Sequence, residues 1–339
     1  MDYKDIILSQ KKALKKEIQW WPTFFYHFTD VHNAVGILKS GWIMSRQYVS
    51  DNKIMKHDNA SKAVIQATKT INQGYGRLYF RPLTPTQYHN EGFKPHEIRN
   101  TEIDASCPVP VFLCLSSLAT LQYPGTKFAE KGISGNRHNI QEGIDAFSKL
   151  NFSKIYHNAW YDPKENGDIK DYRHSEIIRE NGFPLEPLLQ CILCRSVAEK
   201  DTLLYLIKMY SLRLYNSYKD KIFYIPKYQC FFNNGIFIKK VFVSDQYLIV
   251  EFNEPKERLQ KKELVYFTLQ ATLLYKKHNG EVITEDIREK EFNYCSIRSI
   301  FIELKNNFSY DSLYCRISFD NEIMYENDFE NLECQLFEL

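Results

Sequence analysis

The apolar pattern of this chain changes once, near residue 228, and that change limits the possible folds more than any single motif. Before it, stretches of helical and strand period alternate; after it, helical spacing nearly vanishes and short β-type runs follow one another. Those runs are Gly235-Ile-Phe-Ile, Lys240-Val-Phe-Val, Tyr247–Phe252, Leu264–Leu269 and Ser312–Phe319, with turns at Asn233-Asn-Gly235 and Asn279-Gly280. The pattern predicts an α+β chain. A mixed domain occupies 1–215, a Lys/Tyr-rich connection lies near 211–227, and a small antiparallel β-sandwich covers 228–339. The length of 339 residues suits two domains at about 100–200 residues each.

Within the first part, residues 3–20 are Lys-rich with Ile6, Ile7, Leu14 and Ile18 at helical spacing, which reads as a short amphipathic helix. Phe24-Phe-Tyr-His-Phe28 is aromatic and extended. Thr29-Asp30 then caps a helix over 31–39 that closes at Ser40-Gly41. Residues 53–72 carry a helical period, and Gly74 and Gly76 open a strand over 77–80 that Pro82 stops. Further strands are expected over 108–115, 174–179 and 188–194, and helices over 145–155 and 201–210. The segment 124–143, with Gly125, Gly132, Gly135 and Gly143, reads as a loop.

Composition excludes several classes. No apolar run approaches the ~20 residues of a membrane helix, and no secretory h-region opens the chain, so the expectation is a soluble cytoplasmic protein with no membrane partner. The net charge of +2 names no partner, but its distribution is uneven. From Lys39 to Arg81 eight Lys/Arg face only Asp51 and Asp58, a stretch that could attract a polyanion or form a solvated helix face. From Asp311 onward eight acidic residues face Arg316 alone, which could not. Of the eight cysteines only Cys191 and Cys194 form a CxxC pair. On a strand, positions three apart point to opposite faces, so the pair would not converge on one metal, and all eight read as reduced packing residues.

Three short constellations could carry chemistry. In Tyr26-His-Phe-Thr-Asp30, His27 ends a strand beside a helix N-terminus whose amides and dipole could meet a pyrophosphate; a core histidine is the plain alternative. In Arg77-Leu-Tyr-Phe-Arg-Pro82, Arg81 is held between strand and proline, where it could grip a phosphate bidentately or be an ordinary surface arginine. In Arg173-His-Ser-Glu-Ile-Ile178, a strand would put Glu176 and His174 on one face. A carboxylate inside an apolar strand is costly unless paired or working, although an edge-strand surface glutamate remains open.

In order and spacing these residues resemble the DarT family of nucleic-acid ADP-ribosyltransferase toxins. Tyr26-His-Phe-Thr with Asn33 and Gly36-Ile-Leu38 is similar to its opening motif. Tyr79-Phe80, Pro82, Thr84-Pro85 and Tyr88 resemble its strand-and-proline motif, and Tyr156 to Pro163 with Arg173-His-Ser-Glu-Ile-Ile178 its final one. The likeness covers about 20–210. One departure stands out: where the better-known branch has an arginine just before Thr-Pro, this chain has Leu83, and the nearest arginine is Arg81.

The resemblance implies an ADP-ribosyltransferase-like split β-core with flanking helices, and transfer of ADP-ribose from NAD⁺ to a base of single-stranded nucleic acid, DNA ahead of messenger RNA. Glu176 would be the catalytic carboxylate. His27, Thr29, Asn33 and Tyr79 would hold NAD⁺, and Arg81 would act on its phosphate and in catalysis, with Arg77 in reserve. Arg77, Arg137, His138 and His174 would face the acceptor strand, and no metal is implied. A toxin of this kind also implies an antitoxin or chaperone-like partner, for which the acidic distal region is the expected docking module. Two rival classes are a protein-directed ADP-ribosyltransferase and a non-catalytic module that binds nucleic acid or a partner.

Overall fold

The computed structural model describes residues 2–52, 74–99, 106–133, 140–254, 265–306 and 308–330. The helix expected over 53–72 lies outside these described residues. In the first part of the chain the strands are β1 (Phe24–Asp30), β2 (Trp42–Ile43), β3 (Tyr75–Tyr79), β4 (Pro110–Ser116), β5 (Lys127–Ala129), β6 (Ile140–Gln141), β7 (Glu176–Glu180), β8 (Phe183–Pro184), β9 (Leu189–Cys194) and β10 (Ile222–Tyr224). Eight of them form one mixed sheet in the order β10-β9-β4-β1-β3-β7-β5-β6, while β2 and β8 pair separately. Every ladder of that sheet is antiparallel except β9–β10.

The sheet is laddered unevenly. β1 runs beside β4 from Phe24 to Asp30, and β3 beside β7 from Tyr75 to Tyr79. Between β1 and β3 a single pair, Tyr26 with Tyr79, joins the two halves. The strand alternation explains which faces are covered. Phe25 points into the main core, 5.2 Å from the Phe80 ring, whereas Tyr26 and Phe28 face the other side, against Phe112 and Cys114. β4 is buried on both faces, as its run of apolar residues requires.

Beyond residue 228 the strands are β11 (Ile238–Ser244), β12 (Tyr247–Phe252), β13 (Tyr266–Lys276), β14 (Val282–Asn293), β15 (Ser299–Glu303), β16 (Ser312–Phe319) and β17 (Glu322–Glu330). They make two antiparallel sheets, β11-β12-β15 and β14-β13-β16-β17. Phe267, Leu269, Ala271, Leu273 and Tyr275 of β13 alternate inward, and Phe252 of one sheet lies 5.9 Å from Phe319 of the other.

The core is continuous between this region and the mixed sheet. Phe93 packs on Phe267 and Phe319 at 5.7 and 5.3 Å and bridges to Ile236. The chains approach so closely that a Cβ on Gly92 would lie 1.9 Å from the Asn234 carbonyl oxygen; Gly92 and Gly235 also have left-handed φ of 81° and 70°. Beside them Arg195, wholly buried, is paired with Glu199 and lies 3.7 Å from Glu91, which accepts from the amides of Phe232 and Asn234. Each buried charge here has a partner, as burial demands.

Several boundaries differ from the sequence expectation. The segment 145–155 is two short helices, Ile144–Ser148 and Phe152–Ile155, because Asn151 caps the second with its side chain. The expected strand 174–179 starts only at Glu176, since His174 lies in the turn that ends helix Ile169–Tyr172. The connection near 211–227 contributes helix Leu212–Tyr218 and then β10, an edge strand of the mixed sheet. Cys191 and Cys194 do face opposite sides: Cys194 sits in the main core, Cys191 beside Cys114. No helix among the described residues is long and apolar enough to cross a membrane.

Candidate active site

Glu176 opens β7 between two strands, opposite Tyr79 of β3 and Ala129 of β5, and is 4% exposed. A carboxylate so placed needs donors. One oxygen, Oε2, accepts the backbone amide of Ile133 at 2.8 Å; the other, Oε1, lies 3.6 Å from Nη1 of Arg77. Ile133 is held over Ile178 and Ala129 in a small apolar cluster, so the segment after β5 covers the carboxylate. Arg77 and Tyr79 are two apart on β3 and share the face of Glu176. Burial, and secondly the charge of Glu176, push the Tyr79 phenol up to about 12.

His27 stands where β1 and β3 part. Its Nδ1 lies 3.2 Å from the backbone carbonyl oxygen of Arg77, so the side chain bridges strands whose ladder has ended. Burial lowers its pKa to about 4, which leaves the imidazole neutral near pH 7. A carbonyl can only accept, so Nδ1 carries the proton and Nε2 is left as an acceptor. Thr29 follows on the same strand face and is buried. Arg77 is therefore the residue that touches both sides: its carbonyl takes His27, and its guanidinium takes Glu176.

The other expected positions fall elsewhere. Arg81, expected to grip phosphate, is 1% exposed and turned into the protein. Its guanidinium lies 4.4 Å over the Trp21 ring and donates to the carbonyls of Pro82 and His157 and to Oδ1 of Asn158. Burial first, and Arg173 second, pull its pKa well below the usual arginine range. Leu83, at the position of the family's arginine, has a left-handed φ of 58° and gives its amide to Gln87 Oε1. The helix after β1 offers no open N-terminus either. The Val31 amide donates to Val109, the His32 amide to the Asp30 cap, and Asp30 is buried. Asn33 is the third residue of that helix, half-buried. His174 hangs its Nδ1 on the Lys170 carbonyl and does not share a strand face with Glu176. Arg137 and His138 lie outside the described residues.

One surface residue, Trp160, stands in the final family motif but was expected to have no site role. Trp160 is 85% exposed, at the tip of the segment leading from Tyr156 to Glu176. That segment is anchored from below: Arg81 and Arg173 both donate to the His157 carbonyl, Arg173 also donates to Ala159, and its guanidinium lies 4.8 Å over Tyr161. A tryptophan between Ala159 and Tyr161, in a polar stretch with no helical or strand period to bury it, is the signal that could have found it.

A protein-family model described as DarT, ssDNA thymidine ADP-ribosyltransferase, matches residues 26–224. The chain belongs to the DarT family. DarT enzymes are NAD⁺-dependent ADP-ribosyltransferases of single-stranded DNA. Similar solved structures are those of Thermus sp. 2.9 DarT. The complex with ADP-ribosylated ssDNA is 16% identical, over 61% of this chain and 96% of that one, at a TM-score of 0.46. The carba-NAD⁺ complex is 19% identical over 61% and 96%, at 0.45, and the NAD⁺ complex 18% over 56% and 90%, at 0.43. No curated protein matches the chain. The family match ends at Tyr224, so β11–β17 lie outside it.

Proposed function

We propose that NAD⁺ binds where β1 and β3 part and that Glu176 directs transfer of its ADP-ribose to a thymine base of single-stranded DNA. The observation that supports this reading is the chain of contacts from His27 through Arg77 to Glu176, in a half-split sheet of a DarT chain. We take the parting as the split of an ADP-ribosyltransferase core. His27 and Thr29 line its β1 side, with Asn33 one helical turn on, and Tyr79 its β3 side.

Breaking the bond between nicotinamide and C1′ of the ribose puts positive charge on the sugar, and nicotinamide leaves with the bonding electrons. The Glu176 carboxylate offsets that charge. The only ring nitrogen of thymine not already bonded to deoxyribose is N3; it bonds to C1′ and its proton passes to Glu176. Arg77 is the cation for this step in our reading: its guanidinium lies 3.6 Å from the Glu176 carboxylate and would meet the phosphates. Arg81 holds the Tyr156–Tyr161 segment instead. Trp160 then offers an aromatic face to a neighbouring base, and stacking of that kind tolerates any sequence.

The test is incubation of the protein with labelled NAD⁺ and four homopolymeric DNA oligonucleotides, with matched RNA. Label on thymidine-containing DNA is expected. Label on polypeptide that survives nuclease would favour the protein-directed reading, and DNA binding without nicotinamide release the non-catalytic one. From the family resemblance we also propose that the enzyme is a cytoplasmic toxin restrained by an antitoxin; growth arrest on expression, absent in Glu176→Gln, tests the first half.

A further inference from the structure

Strand β17, outside the family match, reaches into the catalytic half at a buried charge cluster. Helix Val31–Ser40 begins at Asp30, the last residue of β1, whose Oδ1 accepts the His32 amide and lies 3.2 Å from His32 Nδ1. On the other side of the imidazole, Nε2 lies 3.8 Å from Oε2 of Glu326, in β17. Glu326 is itself fixed: its Oε1 accepts from the Tyr314 hydroxyl at 2.7 Å and from Arg316 Nε at 2.9 Å, both on β16, and its amide donates to Thr202 of helix Val197–Tyr210. All three members of the Asp30–His32–Glu326 row are nearly covered, with side chains 2, 13 and 7% exposed. β17 packs on helix Val197–Tyr210, which packs in turn on helix Val31–Ser40.

We propose that the distal β-region is a built-in support of the NAD⁺ site, with Glu326 as a positioning residue that acts through His32 to fix the end of β1 and with it His27 and Thr29. The inference rests on the reading of the β1–β3 parting as the NAD⁺ site. β1 is laddered to β4 on one side but nearly unpaired on the side of β3, so the end that carries Thr29 and Asp30 depends on what grips the helix that follows. The grip is ionic and buried, so removing one partner leaves the other charge buried and uncompensated. It also specifies one orientation, because the His32 ring turns Nδ1 toward Asp30 and Nε2 toward Glu326.

The charge state follows from the surroundings. Burial works against the imidazolium, but Asp30 and Glu326 outweigh it and raise His32 to about 9. For Glu326, burial alone would raise the carboxyl; His32, Tyr314 and Arg316 hold it at about 2. Tyr205 of helix Val197–Tyr210 and Asp328 of β17 also face this group, and Tyr205 stays a phenol, its pKa raised to about 12 first by burial. Over neutral pH His32 is therefore an imidazolium and Glu326 a carboxylate.

The experiment uses the full chain, its KM for NAD⁺ and its kcat on a thymidine-containing oligonucleotide, with melting temperature as the folding control. Glu326→Gln should raise the KM about fivefold with kcat within twofold, and His32→Gln should do the same; Glu330→Gln, which breaks only the exposed pair with Lys208 on the same strand, should change neither. In the wild type, the KM should rise between pH 8 and 10 as His32 loses its proton. A folded Glu326→Gln with wild-type KM overturns the proposal. If both variants fail to fold, a wild-type KM that stays flat from pH 8 to 10 overturns it instead. Failure of the underlying reading looks different: the wild type would then release no nicotinamide at all.

Discussion

Arg81→Ala removes a guanidinium that is stacked on Trp21 and donates to Pro82, His157 and Asn158. Each buried acceptor left without a donor costs about 1–3 kcal/mol, and the lost cation–π contact about 2. Local relaxation and entry of water into the gap reduce the total, so about 3–5 kcal/mol is the expected destabilisation. Unfolding entropy of ~2.1 cal/mol/K per residue converts this to a fall in Tm of about 4–7 °C for a chain of this length. Arg77→Ala is the contrasting change. Its side chain is 27% exposed, and its loss should leave Tm within about 2 °C. The same change removes the cation beside Glu176 and should lower kcat/KM about 100-fold, which is about 2.7 kcal/mol of transition-state stabilisation. Both variants would be melted by circular dichroism and assayed for nicotinamide release with a single-stranded oligonucleotide. If Arg81→Ala kept its Tm and lost only affinity for NAD⁺, the guanidinium would be a phosphate ligand, and the structural role derived for it would be wrong.

Other outcomes follow from the same geometry. Trp160→Ala should leave Tm unchanged, because the ring is exposed, but weaken binding of single-stranded DNA by about 5- to 150-fold, the equivalent of about 1–3 kcal/mol of stacking; quenching of Trp160 fluorescence on DNA binding checks it. The His27 ring resonances should show no titration from pH 5 to 8, since its folded pKa is about 4. The unfolded chain binds this proton below about 6.5, so His27 makes stability fall as pH drops from about 6.5 to 4. His32 acts oppositely: the folded state holds its proton up to about 9, so its contribution is full below about 6.5 and is lost as pH rises to 9. Denaturant titrations across both windows, with His27→Gln and His32→Gln as references, separate the two.

Much of this was legible in the sequence because local chemistry set it. The Asp30 cap and Gly41 bound a helix where expected, and beyond the change of period near 228 the described strands pair antiparallel. Glu176 was legible as a carboxylate among apolar strand residues, and the structure places it there, buried and held by an amide. What could not be read depends on side chains meeting across long separations. Arg81 and Arg77 sit on similar sequence, and only the fold shows one turned down onto Trp21 and the other level with Glu176. The helix N-terminus beside His27 looked open because the sequence does not show Val109 and Asp30 taking its first amides. Nor does an acidic distal stretch show that Glu326 is buried against His32 rather than displayed to solvent.

The proposed chemistry depends on the carboxylate at position 176. Glu176→Gln preserves the shape of the side chain and can still accept the Ile133 amide while removing the charge, so its fold should survive. With labelled NAD⁺ and a thymidine-containing single strand, transfer should be at least about 1,000-fold slower than wild type, with Tm and DNA affinity little changed. Transfer by folded Glu176→Gln at a rate within about tenfold of wild type would contradict that chemistry.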